Sequence, residues 1–288
     1  MLQDLASGLV IGLAYSLIAL GLSLIFGVLR VVNFAHGEFY MLGGLLLYSL
    51  TRSGLGFFPA FAGAAVGTLL IAAVIDRVVL KLLRRSDEIT IALATLGLSI
   101  FLGSTALVLW GPIPQRIPSP FGSAPVVLPG GVHLTRFDLF SGALTLAITV
   151  ALHLVIQRTS AGRQIRAVVQ DRDAAALVGL DVDLVYTLTF AVGCALAAVA
   201  GASLGTMFLV YPSMGLPAVL KAFSVVIIGG MGSLGGAIAG GLLLGVAESF
   251  GARWLPGGYK DIIPFILIVL ILAARPQGLL GAKLASRR

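Results

Sequence analysis

The chain has 288 residues, 58% of them hydrophobic and only 11% charged. Soluble domains carry about 25% charged residues, so this composition excludes a soluble enzyme or a free-standing binding module. The net charge of +7 does not indicate nucleic acid, because twelve of the 19 basic residues sit in three short stretches: Arg77–Arg85, Arg158–Arg172 and Arg275–Arg288.

Leu5–Leu29 contains no Asp, Glu, Lys or Arg, and neither do Ser53–Ile75, Ile89–Gln115, Leu139–Gln157, Leu184–Leu220 and Ala222–Ala247. A bilayer core takes roughly 20 apolar residues in helical form. Lipid offers backbone groups no partner, so such runs must be helices. The expected fold is all-α: one polytopic membrane bundle over 1–288, with about eight spans. No cleavable leader is expected, since Leu5–Leu29 is too long for one and no basic stretch precedes it.

In chain order, Leu5–Leu29 descends, Arg30–Glu38 turns, Phe39–Leu50 ascends, and about 57–75 descends to the first basic cluster. Basic loops stay cytoplasmic. A helix at about 89–110 runs outward to the loop 111–137, whose six prolines preclude a spanning helix. Leu139–Ile156 returns to a cytoplasmic loop, 157–183, and Leu184–Leu209 goes out again. Tyr211–Phe250 then starts and ends outside, with Gly229–Gly236 as the break between descent and ascent. About 262–274 descends to the basic end. The first and last thirds thus each hold a long helix, a polar or glycine-rich break and a shorter apolar stretch. Two interrupted or re-entrant regions in corresponding places suggest an internal repeat and a translocation path.

Glycines recur at spacing four in Gly8/Gly12, Gly63/Gly67, Gly201/Gly205, Gly232/Gly236/Gly240 and Gly241/Gly245. Such stripes let helix backbones approach closely, and packing within the bundle is the favoured use. Cys194, in an apolar run, reads as a small buried hydrophobe.

The polar island Asn33-Phe34-Ala35-His36-Gly37-Glu38 lies between two apolar runs. Asn33, His36 and Glu38 either line a solute path or cap the next helix at the interface; one His and one Glu are too few for a metal. Gly229, Gly230, Gly232 and Ser233 are the corresponding path candidates. Lys221, Glu248 and Arg253 are expected at the outer interface, where long side chains snorkel. In the cytoplasmic loop, Ala167–Val178 is rich in helix formers and Gly179 supplies a stop. A short helix of this kind, between two spans, is shaped to dock in a groove of another protein. Arg166, Gln170, Asp171, Ala175 and Gly179 are its candidate coupling residues.

The Asp173-Ala174-Ala175-Ala176…Gly179 pattern resembles the cytoplasmic coupling segment of ABC importer permeases. Asn33–Glu38 with Phe39-Tyr40-Met41-Leu42-Gly43 resembles the opening motif of branched-chain amino acid permeases of the LivH type. Arg166-Ala167…Gln170-Asp171, Gly229-Gly230-Met231-Gly232-Ser233…Gly236 and Arg275-Pro276-Gln277-Gly278-Leu279 are similar to that family too. Asp171-Arg172 departs from the pattern of relatives. The resemblance implies a bacterial inner-membrane subunit with a second, homologous permease, two cytoplasmic ATPase subunits and a periplasmic binding protein. It implies no cofactor in this chain: no Gly-x-x-x-x-Gly-Lys-Ser/Thr loop is present, so ATP belongs to the partners. Branched-chain amino acids are the implied substrates, with other amino acids, short amides and urea open. The alternative is a gradient-driven carrier or channel, which needs an acid or unwound carbonyls at membrane depth.

Overall fold

The computed structural model describes residues 1–84, 86–122, 124–128, 130–254 and 259–281. Arg85, Pro129, Lys283, Arg287 and Arg288, which belong to the basic clusters and the proline-rich loop, lie outside the described residues. The elements are α1 (Leu2–Leu29), α2 (His36–Arg52), α3 (Phe57–Ile75), a π turn (Asp76–Leu80), α4 (Lys81–Leu83) and α5 (Glu88–Trp110). There follow the hairpin β1 (Pro125–Leu128) and β2 (Val132–Thr135), then α6 (Arg136–Arg158), α7 (Ser160–Gln170) and α8 (Arg172–Leu177). The last are α9 (Val182–Met207), α10 (Gly215–Gly229), α11 (Leu234–Trp254) and α12 (Ile263–Ala274). Among the described residues six helices are long and apolar enough to cross a membrane: α1, α3 continued through α4, α5, α6, α9 and α11. The chain is therefore an all-α multi-pass membrane protein, its only strands among the described residues being the small antiparallel hairpin.

Local chemistry sets the helix ends. Asp87 caps α5 by accepting from the Thr90 N–H, and hydrogen bonds from Thr90 hold its carboxyl below the usual range. Thr135 and Asp138 form a reciprocal capping box on α6, and Asp181 caps α9 through the Leu184 N–H. Arg30 closes α1 in the left-handed conformation, φ 55°.

Two faces of the bundle are distinguishable. On one, Gln3 both donates to and accepts from the His133 backbone. On that face Gln115 pairs with Val210, Trp110 donates to Ser49 and Arg253 meets Asp4 at 3.1 Å. This hairpin face holds the described residues of 111–137 and the start of α1. On the opposite, basic face, Arg84 meets Asp183 at 2.5 Å, and Leu279 and Leu280 donate to the Ile228 and Gly229 carbonyls.

The core lies along α1, α2 and α9, with α10 and α11 packed beside them. The main partner of α1 is α11, and that of α3 is α9. The α1–α11 contact is built on small residues. A methyl on Gly8 would lie 2.8 Å from the Val246 Cα, and one on Gly12 2.8 Å from the Gly241 carbonyl. Ser16 Oγ donates across this seam to the Ile238 carbonyl at 3.1 Å. The stripes Gly8/Gly12 and Gly241/Gly245 therefore face each other, as tight packing requires. Of the other stripe, Gly236 and Gly240 face α10 at Gly229 and Val225, while Gly232 precedes the helix. α3, α5, α6 and α12 carry many of the exposed apolar side chains, as befits faces turned to lipid.

Candidate functional site

The polar island sits at depth. His36 donates from Nε2 to the carbonyl of Ile18, in the middle portion of α1, at 2.9 Å. Glu38 Oε1 accepts from Ser99, central in α5, at 3.1 Å. The Phe34 N–H reaches Thr95 at 3.2 Å. Asn33 folds the turn by accepting from the Ala35 N–H. Asn33, His36 and Glu38 are all buried, Glu38 with 6% of its surface exposed. All three side chains therefore lie inside the bundle, against the middle portions of α1 and α5.

The start of α10 meets Glu38 there. A methyl on Gly215 would lie 2.6 Å from Glu38 Oε2. The carboxylate is thus in the first turn of α2 and against the first turn of α10. Helix N-termini favour negative charge, which offsets part of the cost of a buried acid. Gly229, Gly230, Gly232 and Ser233 are elsewhere. They form the α10–α11 link on the basic face, where Gly230 (φ 102°) and Gly232 (φ 79°) hold conformations that L side chains resist. A methyl on Gly230 would meet the Gly281 backbone at 2.5 Å. The structure does not bring the seven path candidates into one site: three lie inside the bundle beside α1 and α5, and four at the basic face.

Two ionic clusters were not legible as such. Lys221 and Glu248, expected to snorkel, are instead a pair inside the bundle. Lys221 Nζ lies 2.8 Å from Glu248 Oε1 and donates to Oε2 at 3.0 Å. It also donates to Tyr15 Oη at 3.0 Å, and Tyr15 donates to Glu248 Oε2 at 2.8 Å. Asp261 is 3.5 Å away and largely exposed. Arg253 does lie at the helix end, against Asp4. In the second cluster, Asp76 in the π turn is fully buried and accepts from Arg84 and from Thr187, both at 2.5 Å. The signal was there in outline, since Asp76 ends one uncharged run and Lys221 interrupts another. Sequence position could not show that a turn of π helix aims Asp76 at α9.

The coupling segment differs from a single helix over 167–178. Asp171 breaks it in two: its side chain accepts from the Asp173 and Ala174 N–H groups and so caps α8. The Asp side chain outcompetes the backbone for these donors. Gly179, φ 85°, ends α8 as expected. Gln170 and Asp171 are accessible at the break, while Arg166 turns back to donate to the Ile156 carbonyl. Ala175 is buried against the protein's own bundle and offers no surface to a partner. Leu177 and Val178 do, at 88% and 77% exposed. Arg172, from the first turn of α8, lies over the Tyr186 ring at 5.6 Å, and Arg84 lies over the same ring at 5.3 Å. A chain of contacts therefore joins the coupling segment to buried Asp76.

Known proteins agree with this architecture. Residues 5–272 match the family model described as the branched-chain amino acid transport system permease component. The chain is 36% identical to the high-affinity branched-chain amino acid transport system permease protein BraD of Pseudomonas aeruginosa, covering 97% of this chain and 95% of that one. It is 35% identical, at the same coverage, to the LivH permease protein of Escherichia coli K12. In fold it resembles a chain of PsaBC from Streptococcus pneumoniae in complex with Fab, with a TM-score of 0.50, 14% identity and coverage of 93% and 89%. A bundle of apolar helices with paired small-residue seams, matched from α1 to α12, identifies the chain as a member of the branched-chain amino acid transport system permease family.

Proposed function

We propose that this chain is one membrane-spanning subunit of an ATP-driven importer for branched-chain or closely related amino acids. It would work in a bacterial inner membrane beside a second, homologous permease, with two cytoplasmic ATPase subunits and a periplasmic binding protein. Family membership supports the permease role. The carrying observation for the drive is the Leu177–Val178 tip: two large apolar side chains held out beyond the basic face by a capped helix and a glycine stop. Exposed apolar groups beside polar ones mark interaction sites, and a short helix in a groove is a known mode of docking. The clustered Arg and Lys support a cytoplasmic basic face and, with it, a periplasmic hairpin face.

The contacts also support an inverted repeat. α1, α2, α3 and α5 form one unit, and α9, α10, α11 and α12 form the other with opposite direction. In each, a long helix is followed by a link that re-enters the bundle and a short helix, and the first helix of each packs on the third of the other. The path beside the α2–α10 meeting point would then open to either face by rocking one unit against the other. Six long spans, α12 and two broken crossings would replace the expected eight or so.

A gradient-driven carrier has one observation in its favour, since Glu38, Asp76 and Glu248 are buried acids. Two of them are engaged by Arg84 and Lys221, which leaves Glu38. The deciding experiment is uptake of labelled leucine into vesicles holding the permease pair and ATPases. The expected result is uptake that requires ATP and the binding protein and survives a protonophore. Uptake by the permease alone, abolished by the protonophore, would overturn the proposal.

A further inference from the structure

We propose that Lys221, Glu248 and Tyr15 form a transient binding subsite for an amino-acid zwitterion with an apolar side chain. The subsite would receive the ligand on the hairpin-face half of the path. This rests on the amino-acid permease reading above and assigns its ligand to particular side chains.

The cluster is not sealed in the packing. It forms one end of a cavity of about 780 Å³ between α1, α2, the 208–214 link, α10 and α11, a volume in the range of small-molecule sites. Arg116, Phe208 and Leu209, from segments on the hairpin face, line its outer part. The remaining wall is largely apolar, including Ile11, Ile18, Leu204, Met214 and Pro217. One end therefore offers a cation and an anion side by side, the segment on the hairpin face adds Arg116, and most of the remaining wall offers hydrocarbon. A zwitterion with a branched apolar side chain has the complementary distribution: a carboxylate for Lys221, an ammonium for Glu248, an aliphatic group for the wall.

The charge balance fits the same ligand. Lys221 and Glu248 neutralise each other at 2.8 Å. A zwitterion can be exchanged for this internal pair without changing the net charge at depth, whereas an amine or a carboxylate alone would leave one buried charge uncompensated. The bound ligand must break the protein's own ion pair, so binding is weak and release easy, as a path served by a separate binding protein requires. Tyr15 holds the two groups in register, accepting from one and donating to the other.

The test uses the complete importer in lipid nanodiscs, with Ala218→Cys placed in the cavity wall. The native Cys194 is fully buried and does not compete for a water-soluble maleimide. Labelling is timed with leucine, with 3-methylbutan-1-amine (leucine without its carboxylate) and with 4-methylpentanoate (leucine without its ammonium). Leucine should slow labelling several-fold and the two singly charged analogues should not. In the double variant Lys221→Met/Glu248→Gln the protection should vanish. Leucine uptake should need a concentration about tenfold higher, the effect of losing charge-assisted hydrogen bonds, while ATP hydrolysis stimulated by the binding protein persists. The paired replacement leaves no lone buried charge, so a purely structural ion pair would predict normal protection and uptake. Leucine import with no protection of the cysteine overturns the subsite alone, as does a double variant that behaves like the parent. An unmodified importer that does not carry leucine overturns the substrate reading and the ligand assigned here together.

Discussion

Arg84 and Asp76 show how much hangs on single side chains here. Arg84 serves Asp76 and Asp183 at once and stacks on Tyr186. Removing one partner of a buried pair leaves an uncompensated charge and costs about 3–5 kcal/mol. Arg84→Met should therefore lower the thermal stability of the detergent-extracted protein markedly, and Arg84→Met/Asp76→Asn should recover much of it. Equal melting of the single and double variants would show that the pair is not coupled. Glu38→Gln keeps shape and removes charge between the two helix starts. It should depress uptake with unchanged expression, and equal uptake would make Glu38 a packing group. The polar island was legible because it interrupts apolar runs. Tyr15 was not, because a tyrosine inside an apolar run looks like core. Nor was the role of Lys221, since its partner Glu248 is brought to it only by the packing of α10 on α11.

Among the elements, the α1–α11 seam is the most extensive. Gly241→Leu would drive a side chain into the Ser16 backbone, which a methyl would already meet at 2.6 Å. Overpacking of this kind costs typically 1–3 kcal/mol and more where backbone is met. The expected result is loss of extracted, folded protein, against little change for Val269→Leu on the exposed face of α12. Equal yields of the two variants would mean the seam tolerates separation. The glycine spacing made such seams readable, though not which stripe meets which, because that depends on how distant helices align. The coupling segment was readable in its glycine stop and not in its break. Helix propensity summed over 167–178 favours one helix, and a single Asp171 side chain decides otherwise by capping the next turn.

At the scale of the whole molecule, the multi-pass helical character and the family were legible. Uncharged runs, basic loops and prolines report directly on what lipid tolerates. The meeting of the α2 and α10 starts at Glu38 and Gly215 was not, since it depends on how the two distant links fold. The projecting tip at Leu177–Val178 makes a prediction at this scale. Leu177→Asp/Val178→Asp alters no internal contact of a buried group, so the permease should fold and pair normally. ATP-driven uptake should nonetheless fall at least tenfold, as for lost hot-spot anchors, with ATPase subunits no longer co-purifying. Retained ATPase subunits and uptake would place the docking surface elsewhere.

The α1–α11 seam has a consequence for biogenesis. The ribosome delivers α1 first and α11 nearly last, yet each is the other's chief neighbour. Until α11 is made, the glycine groove of α1 and its Ser16 hydroxyl face lipid or an insertion chaperone. The N-terminal Gln3 clasp likewise waits for His133 to be made. Nascent chains stalled before residue 234 should thus be substrates for membrane quality-control proteases, and the full-length chain should become resistant as the seam closes.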